Sequence, residues 1–478
     1  MQSVSQATKE KMLDTSIDMC DFLRQAVTPF HAVQVIKSRL RQAGFLPIPK
    51  QSDDVTLQRG GKYLFTRNGS SLAALVIGKK YAPSNGANII AAHTDSPTLM
   101  LKPQSGFVER GMEVCGVQCY GGGLWHTWFD RDLSLAGRVV LQRKATGGDA
   151  VRDLGLHVHL VNIDKPIACI PNLAIHLQTA DEREKLTINK ETHLAPITSV
   201  SRREGKALPS AAQLHDDISM EILSQLGKSD DFEIVDHELC FYDANGPIIG
   251  GMRKEFIRSA RLDNLASCYA AVEGLLETVS ILEESERVHI VALYDHEEIG
   301  SRSLCGAEGN LLGDIIDRVV RQDCSTPAEI SSRREAFLAN SFCVSADCAH
   351  AVHPNYADKH ESRHAPSING GLVLKRNASM KYATQAISSA LMRKIAQIAG
   401  VRIQDFVGRN DKPCGSTIGP IISCQTGIET VDMGIPLLAM HSIRETCGVA
   451  DVNDSVKFFA EFLRSFHALK NALVGGDE

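Results

Sequence analysis

The chain reads as an α/β protein built on a mostly parallel sheet flanked by helices, with a β-rich insertion in its middle. Three observations predict this. In the stretches 1–96 and 252–478, short apolar runs alternate with segments of helical period, the rhythm of strand–helix–strand units. Between them, over 97–251, that rhythm gives way to short β-type runs set among glycines and charged loops. The length of 478 residues fits two or three domains, or one large domain carrying an insertion.

The elements follow in order. Residues 15–26 place Ile17, Phe22, Leu23 and Ala26 at helical spacing, and 32–44 repeats the pattern and ends on Gly44, a helix-stop signal. The apolar runs 72–78 and 87–92 are bounded by turn residues and predict buried strands. In the insertion, 137–141 and 156–161 are β-type, and the glycines at 121–123 predict a loop. A phosphate cradle would need a Lys-Ser/Thr pair after them, which is missing. Beyond it, 267–282 predicts a helix, 288–294 and 342–346 strands, 383–399 a helix, 433–439 a strand running into Met440-His441, and 452–469 a closing helix. No internal repeat or low-complexity stretch interrupts this order.

Composition narrows the function. A net charge of −6 with no basic block gives no support to nucleic-acid binding. The 13 cysteines are scattered without a CxxC pair, which predicts reduced thiols and a cytoplasmic setting. The polar start from Met1 to Asp14 lacks an apolar signal core, and no apolar run reaches about 18 residues, so neither secretion nor membrane association is expected.

Candidate metal ligands fall at or just beyond predicted strand ends. His93 and Asp95 follow one strand, Glu297 and Glu298 another, Asp347 a third and His441 a fourth; Asp263 lies just before a helix. In open α/β sheets ligands gather outside the carboxyl ends of the strands, so these positions converge. Each alone has an ordinary explanation. His-x-Asp is a common loop pattern, paired glutamates start helices, Asp263 could cap one, and His441 could pack in a core. The set carries the argument. Two histidines with three of these five carboxylates suit zinc, exceed the needs of one catalytic ion, and match two ions about 3.5–4 Å apart sharing a carboxylate. Glu297 and Glu298 are neighbours, and adjacent side chains of an extended segment diverge, so a turn after Tyr294 must redirect one of them.

Other candidates are set aside. His157 and His159 lack a carboxylate partner, His126 is expected to pack beside Trp125 and Trp128, and no Gly-x-Ser-x-Gly elbow occurs. Cys414-Gly-Ser-Thr417 reads as a turn capping a helix.

The chain resembles the aspartyl aminopeptidases, zinc peptidases of the wider two-metal aminopeptidase group. The resemblance is carried by Ala92-His-Thr-Asp-Ser-Pro97, Leu124-Trp-His-Thr-Trp-Phe-Asp-Arg-Asp-Leu133, Ile170-Pro-Asn-Leu-Ala-Ile-His-Leu177, Ser259-Ala-Arg-Leu-Asp-Asn-Leu265, Tyr294-Asp-His-Glu-Glu-Ile-Gly-Ser301, Ser345-Ala-Asp-Cys-Ala-His350, Pro413-Cys-Gly-Ser-Thr-Ile-Gly-Pro420 and Met440-His-Ser-Ile-Arg-Glu445. It implies a three-layer catalytic domain interrupted by a dimerisation domain, and assembly of dimers into a homododecamer. It implies two zinc ions, or other divalent metals, with His93, Asp263 and Asp347 on one and Asp263, Glu298 and His441 on the other. Glu297 would be the general base and Asp95 the carboxylate that orients His93. Substrate contacts are implied for Glu297, Asp347, His350, Lys375 and Tyr382, and for His176 reaching from a neighbouring subunit. The substrates would be peptides with N-terminal Asp or Glu, and Lys375 would meet the acidic side chain. The metal residues by themselves equally suit a two-metal deacylase or dipeptidase, and an inactive scaffold would use the same fold.

Overall fold

The computed structural model describes residues 6–48, 57–144, 155–201, 214–228, 231–322 and 324–472. The chain forms two compact units: Met1–Asp95 with Pro247–Met440 and Glu445–Glu478, and Ser96–Gly246 with His441–Arg444.

The first unit is organised by a mixed sheet. From edge to edge its strands are Leu46–Pro47, Lys62–Arg67, Ser71–Ile77, Val288–Tyr294, Ala87–His93, Phe342–Ala346, Glu429–Gly434, Leu372–Arg376 and Ile403–Val407. The four at the centre, from Val288–Tyr294 to Glu429–Gly434, are mutually parallel. Antiparallel pairs lie outside them, joining Lys62–Arg67 to Ser71–Ile77, Ser71–Ile77 to Val288–Tyr294, and Leu372–Arg376 to Glu429–Gly434. The register sets Tyr294 opposite His93 and Ala346 opposite Met433, so the carboxyl ends of the parallel strands come level.

The central strands are buried along their whole length, as parallel strands covered on both faces require. Alternate residues feed separate cores: Ile90, Ala92, Val291 and Leu293 one, Ile89, Ala91, Ile290 and Ala292 the other. The first core takes apolar faces of helices Leu262–Leu282 and Val449–Asn471, and the Phe342 ring lies 4.3 Å from that of Phe466. The second takes Leu311–Val320 through Leu311, Ile315, Ile316 and Val319. Helix Leu262–Leu282 is long and apolar enough to cross a membrane, but 67% of that stretch is buried in the protein, as in a core helix.

The structure adjusts several expectations. Helix 15–26 is the longer Gln6–Gln25, and helix 383–399 begins at Ala386. The run 433–439 is two strands, not one. Glu429–Gly434 closes in the large sheet, and Pro436–Leu438 joins a smaller sheet with Ala349–His350, Glu445–Gly448, Phe256–Ser259 and Ile248–Gly250. The reason is close approach at Gly434, where a Cβ would stand 1.8 Å from the Asp347 carbonyl oxygen. His441 therefore follows a strand of the smaller sheet. The first residues of the polar start, 1–5, lie outside the described residues.

The second unit is a six-stranded antiparallel sheet ordered His157–Asn162, Leu133–Arg143, Phe232–Asp243, Thr98–Glu109, Met112–Tyr120 and Ile197–Val200. Its core gathers Leu99, Trp125, Trp128, Leu133, Leu239 and Phe241. The two tryptophan rings pack 6.1 Å apart, whereas His126 between them is exposed, contrary to the packing role expected of it. Successive residues of the short 3₁₀ turn Trp125–Trp128 point apart, so His126 leaves the face that buries its neighbours.

Candidate metal centre

Four elements of the first unit supply one cluster. His93 ends the strand Ala87–His93, Asp347 follows Phe342–Ala346, Glu297 and Glu298 open a 3₁₀ turn after Val288–Tyr294, and Asp263 stands at the start of Leu262–Leu282. Backbone at Asp263 and Asn264 is non-helical, and the peptide between them is cis. Ligand atoms of His93, Asp263 and Glu298 all lie within 4.8 Å of one another. Nε2 of His93 is 3.5 Å from Asp263 Oδ1, 3.8 Å from Asp347 Oδ1 and 4.0 Å from Glu297 Oε2.

Hydrogen bonds hold the cluster from behind. Asp95 accepts the amide hydrogens of Glu297 and Glu298, at 3.1 and 3.0 Å on its two carboxylate oxygens. That is the redirecting turn the sequence requires. His296 and Gly300, at φ 64° and 97°, bracket it, and one carboxylate fixes both glutamates. The Asp95 carbonyl lies 3.1 Å from Nδ1 of His93, nearer than its carboxylate at 3.4 Å. A carbonyl only accepts, so Nδ1 carries the proton and Nε2 faces the acids. Glu445, buried, accepts the amide of Asp263 at 2.9 Å, and Asn264 Nδ2 donates to the Ala346 carbonyl at 2.8 Å.

Charge is concentrated here. Burial would lower the His93 pKa, but the neighbouring carboxylates of Asp263, Asp347 and Asp95 raise it well above the usual histidine value. Burial pushes Glu297 up to about 8; His93 opposes this, while Asp347, Glu298 and Asp95 add to it. Buried carboxylates repelling one another around an imidazole are relieved by a divalent cation, and an imidazole with several carboxylates is a catalytic zinc donor set. The residues fit such an ion.

Beside the cluster lies a buried cation. Lys375, on the strand Leu372–Arg376, is 2% exposed, with Nζ 3.6 Å from Asp347 Oδ2, 3.1 Å from the Cys348 carbonyl and 5.2 Å from the centre of the Tyr382 ring. Tyr382 and His350 both pack against Phe406, with ring centres 6.4 and 5.7 Å away. His441 and His176 belong to the second unit. His176 is exposed in the turn Ile175–Leu177, and His441 has Nδ1 3.1 Å from the Gly122 carbonyl.

Sequence reasoning missed Glu445 and Asp432. Glu445 was visible only as part of a motif. Asp432 lies in the strand Glu429–Gly434, which also carries Glu429 and Thr430, so no contrast in the sequence marks it; its burial does. Its oxygens accept the Ala383 amide and the Thr417 hydroxyl, each at 2.6 Å. Thr417 does precede helix Ile418–Thr426, but its hydroxyl serves Asp432 and makes no cap bond.

A histidine–carboxylate cluster at the carboxyl edge of an α/β sheet, with a further carboxylate facing it, defines a metal-dependent hydrolase. The profile of the family described as Aminopeptidase I zinc metalloprotease (M18) matches residues 22–463, and the chain belongs to this family of zinc aminopeptidases. An aspartyl aminopeptidase of Aspergillus oryzae is 41% identical over 493 residues, covering 96% of this chain and 97% of that one. A chain of the cryo-EM structure of the Ape4 and Nbr1 complex superposes with a TM-score of 0.92 at 38% identity, covering 100% of this chain and 90% of that one. The S. cerevisiae mApe1 dodecamer gives 0.80 at 29%, covering 96% and 98%.

Proposed function

We propose that this aminopeptidase removes N-terminal Asp and Glu from peptides, using two zinc ions and Glu297 as general base. The observation that carries the acidic preference is Lys375, an ammonium buried beside Asp347 and at the edge of the His93–Asp263–Glu298 group. In a buried setting one positive charge discriminates strongly for an acidic side chain, because the pair is poorly screened.

His93, Asp263 and Asp347 would hold one zinc, and Asp263, Glu298 and His441 the other. Bound zinc supplies a Lewis acid for the scissile carbonyl and lowers the pKa of the attacking water. Glu297, raised in pKa by burial, takes the proton from that water and returns one to the leaving amine. Glu298, its amide shared with the same Asp95 carboxylate, is held as a ligand and leaves Glu297 to move the proton. Asp95 positions His93 and both glutamates. Tyr382 and His350 line the side that receives the first side chain.

The finer architecture follows the same reading: a three-layer catalytic unit, an inserted unit that dimerises, and twelve subunits in the cytoplasm. Its support is the dodecameric structural relative and the exposed apolar residues Leu173, Ile175 and Leu177 that flank His176.

The test is hydrolysis of N-terminal Asp-, Glu-, Ala- and Leu-amides by the purified protein, before and after chelation and zinc return. Chelator-sensitive cleavage favouring Asp and Glu is expected. Cleavage favouring Leu or Ala would overturn the acidic preference.

A further inference from the structure

The stretch His441–Arg444 is built into the second unit by hydrogen bonds to residues that the metal reading leaves unused. Nδ1 of His441 lies 3.1 Å from the Gly122 carbonyl oxygen. The His441 carbonyl in turn accepts the Leu124 amide at 2.9 Å. Two residues on, Ile443 donates its amide to Thr127 Oγ1 at 3.0 Å, and that hydroxyl donates to the Leu124 carbonyl at 2.7 Å. The segment ends in Arg444, which reaches the buried Asp243 carboxylate at 3.1 Å and the carbonyls of Asn245 and Gly246 at 2.8 Å each. Asp243 is shared with Arg131 at 2.5 Å.

These bonds account for two sequence features without a role so far. The glycines at 121–123 shape the loop that meets this segment: Gly121 has φ 73°, a Cβ on Gly123 would stand 2.8 Å from the Trp125 ring, and Gly122 is the one that faces His441. The stretch 124–132 supplies Leu124, Thr127 and Arg131. His441 itself is held at φ 66°, a left-handed conformation uncommon for a residue with a Cβ. Such a conformation persists where the surroundings over-determine it.

A carbonyl oxygen can only accept, so the Gly122 bond places the His441 proton on Nδ1 and leaves Nε2 as the basic nitrogen. Metal-bound histidines are oriented in this way by a donor bond from their other nitrogen. We infer that Gly122, Thr127 and the Arg444–Asp243 pair are positioning residues that fix the tautomer and direction of His441 so that Nε2 is the ligating atom. The inference rests on the proposed role of His441 as a zinc ligand.

The experiment measures zinc stoichiometry and affinity of the full chain by competition with a chromophoric chelator, alongside thermal melting. It uses His441→Ala, Thr127→Val, Thr127→Ser and Arg444→Met. His441→Ala should lose one zinc; retention of both at wild-type affinity would show that His441 is no ligand and remove the premise. Given that loss, Thr127→Val and Arg444→Met should weaken that same zinc about 10–100-fold. Thr127→Ser, which keeps the hydroxyl, should bind like the wild type. Wild-type zinc binding by Thr127→Val would overturn the inference while leaving the ligand role intact. Equal weakening of both zincs with a lowered melting temperature would overturn it too, marking a structural role only. Should Arg444→Met fail to fold, the Thr127 pair decides alone.

Discussion

The ammonium of Lys375 lies 3.6 Å from Oδ2 of Asp347, and both side chains are buried. Asp347 also turns Oδ1 towards His93, so one carboxylate joins the proposed metal site to the cation proposed to read the substrate. Lys375→Met keeps the length of the side chain and deletes its charge. A charge-assisted hydrogen bond is worth about 1.5–3 kcal/mol, so kcat/KM for Asp- and Glu-amides should fall roughly ten- to a hundred-fold. Turnover of Ala-amides should change far less. Equal losses on both classes, measured side by side, would remove Lys375 from specificity.

Asp432 is fully buried, and its carboxylate is spent on Ala383 and Thr417, which adjoin Tyr382 and the turn at Cys414. Burial raises its pKa, while the charge of Lys375 and the hydrogen bonds lower it. Asp432→Ala leaves a buried amide and a hydroxyl without acceptors, at about 1–3 kcal/mol each. Denaturant unfolding should show that loss, with Asp432→Asn falling between. A midpoint unchanged in Asp432→Ala would mean that water or rearrangement replaces the carboxylate.

Glu297→Gln preserves shape and removes the basic oxygen. General-base catalysis contributes about 10²–10⁴ in rate, and kcat should fall within that range. The Glu297 amide still reaches Asp95, so zinc content and melting temperature should stay at wild-type values. A kcat within a few-fold of wild type would pass the proton transfer to another group.

His93, Asp347 and the two glutamates were legible because each follows an apolar run that the sequence marks as a strand, and parallel strands end level. Asp263 was legible beside its helix, though not its non-helical backbone. What stayed hidden depends on contacts between distant segments. Periodicity cannot show that 433–439 leaves one sheet for another, since the cause is the Asp347 backbone against Gly434. Nor does it mark Lys375 as buried. An isolated lysine is expected in water, and only the fold brings Asp347 and Tyr382 to it. The bond from Asp95 to two amides some 200 residues away belongs to the same class.

Two histidines outside the site, His289 buried and His31 half-buried, should set the acid sensitivity of the fold. Burial, aided by the charge of Arg261, lowers His31 to about 4, and burial with Arg287 and His467 lowers His289 to about 3. In the unfolded chain both titrate near about 6.5. The folded protein therefore holds them neutral, and unfolding lets them take protons as the solution becomes acidic. Their contribution to stability is complete above about 6.5 and is lost as pH falls through 4 and then 3. His289 is the better probe: its Nε2 meets Ser285 Oγ at 2.7 Å, while its buried Nδ1 has no partner among the described residues. His289→Gln can keep the Ser285 bond and cannot titrate. With zinc saturating, urea midpoints of both proteins should decline on acidification, and the variant should decline less. Parallel curves would show that protonation of His289 is not coupled to unfolding.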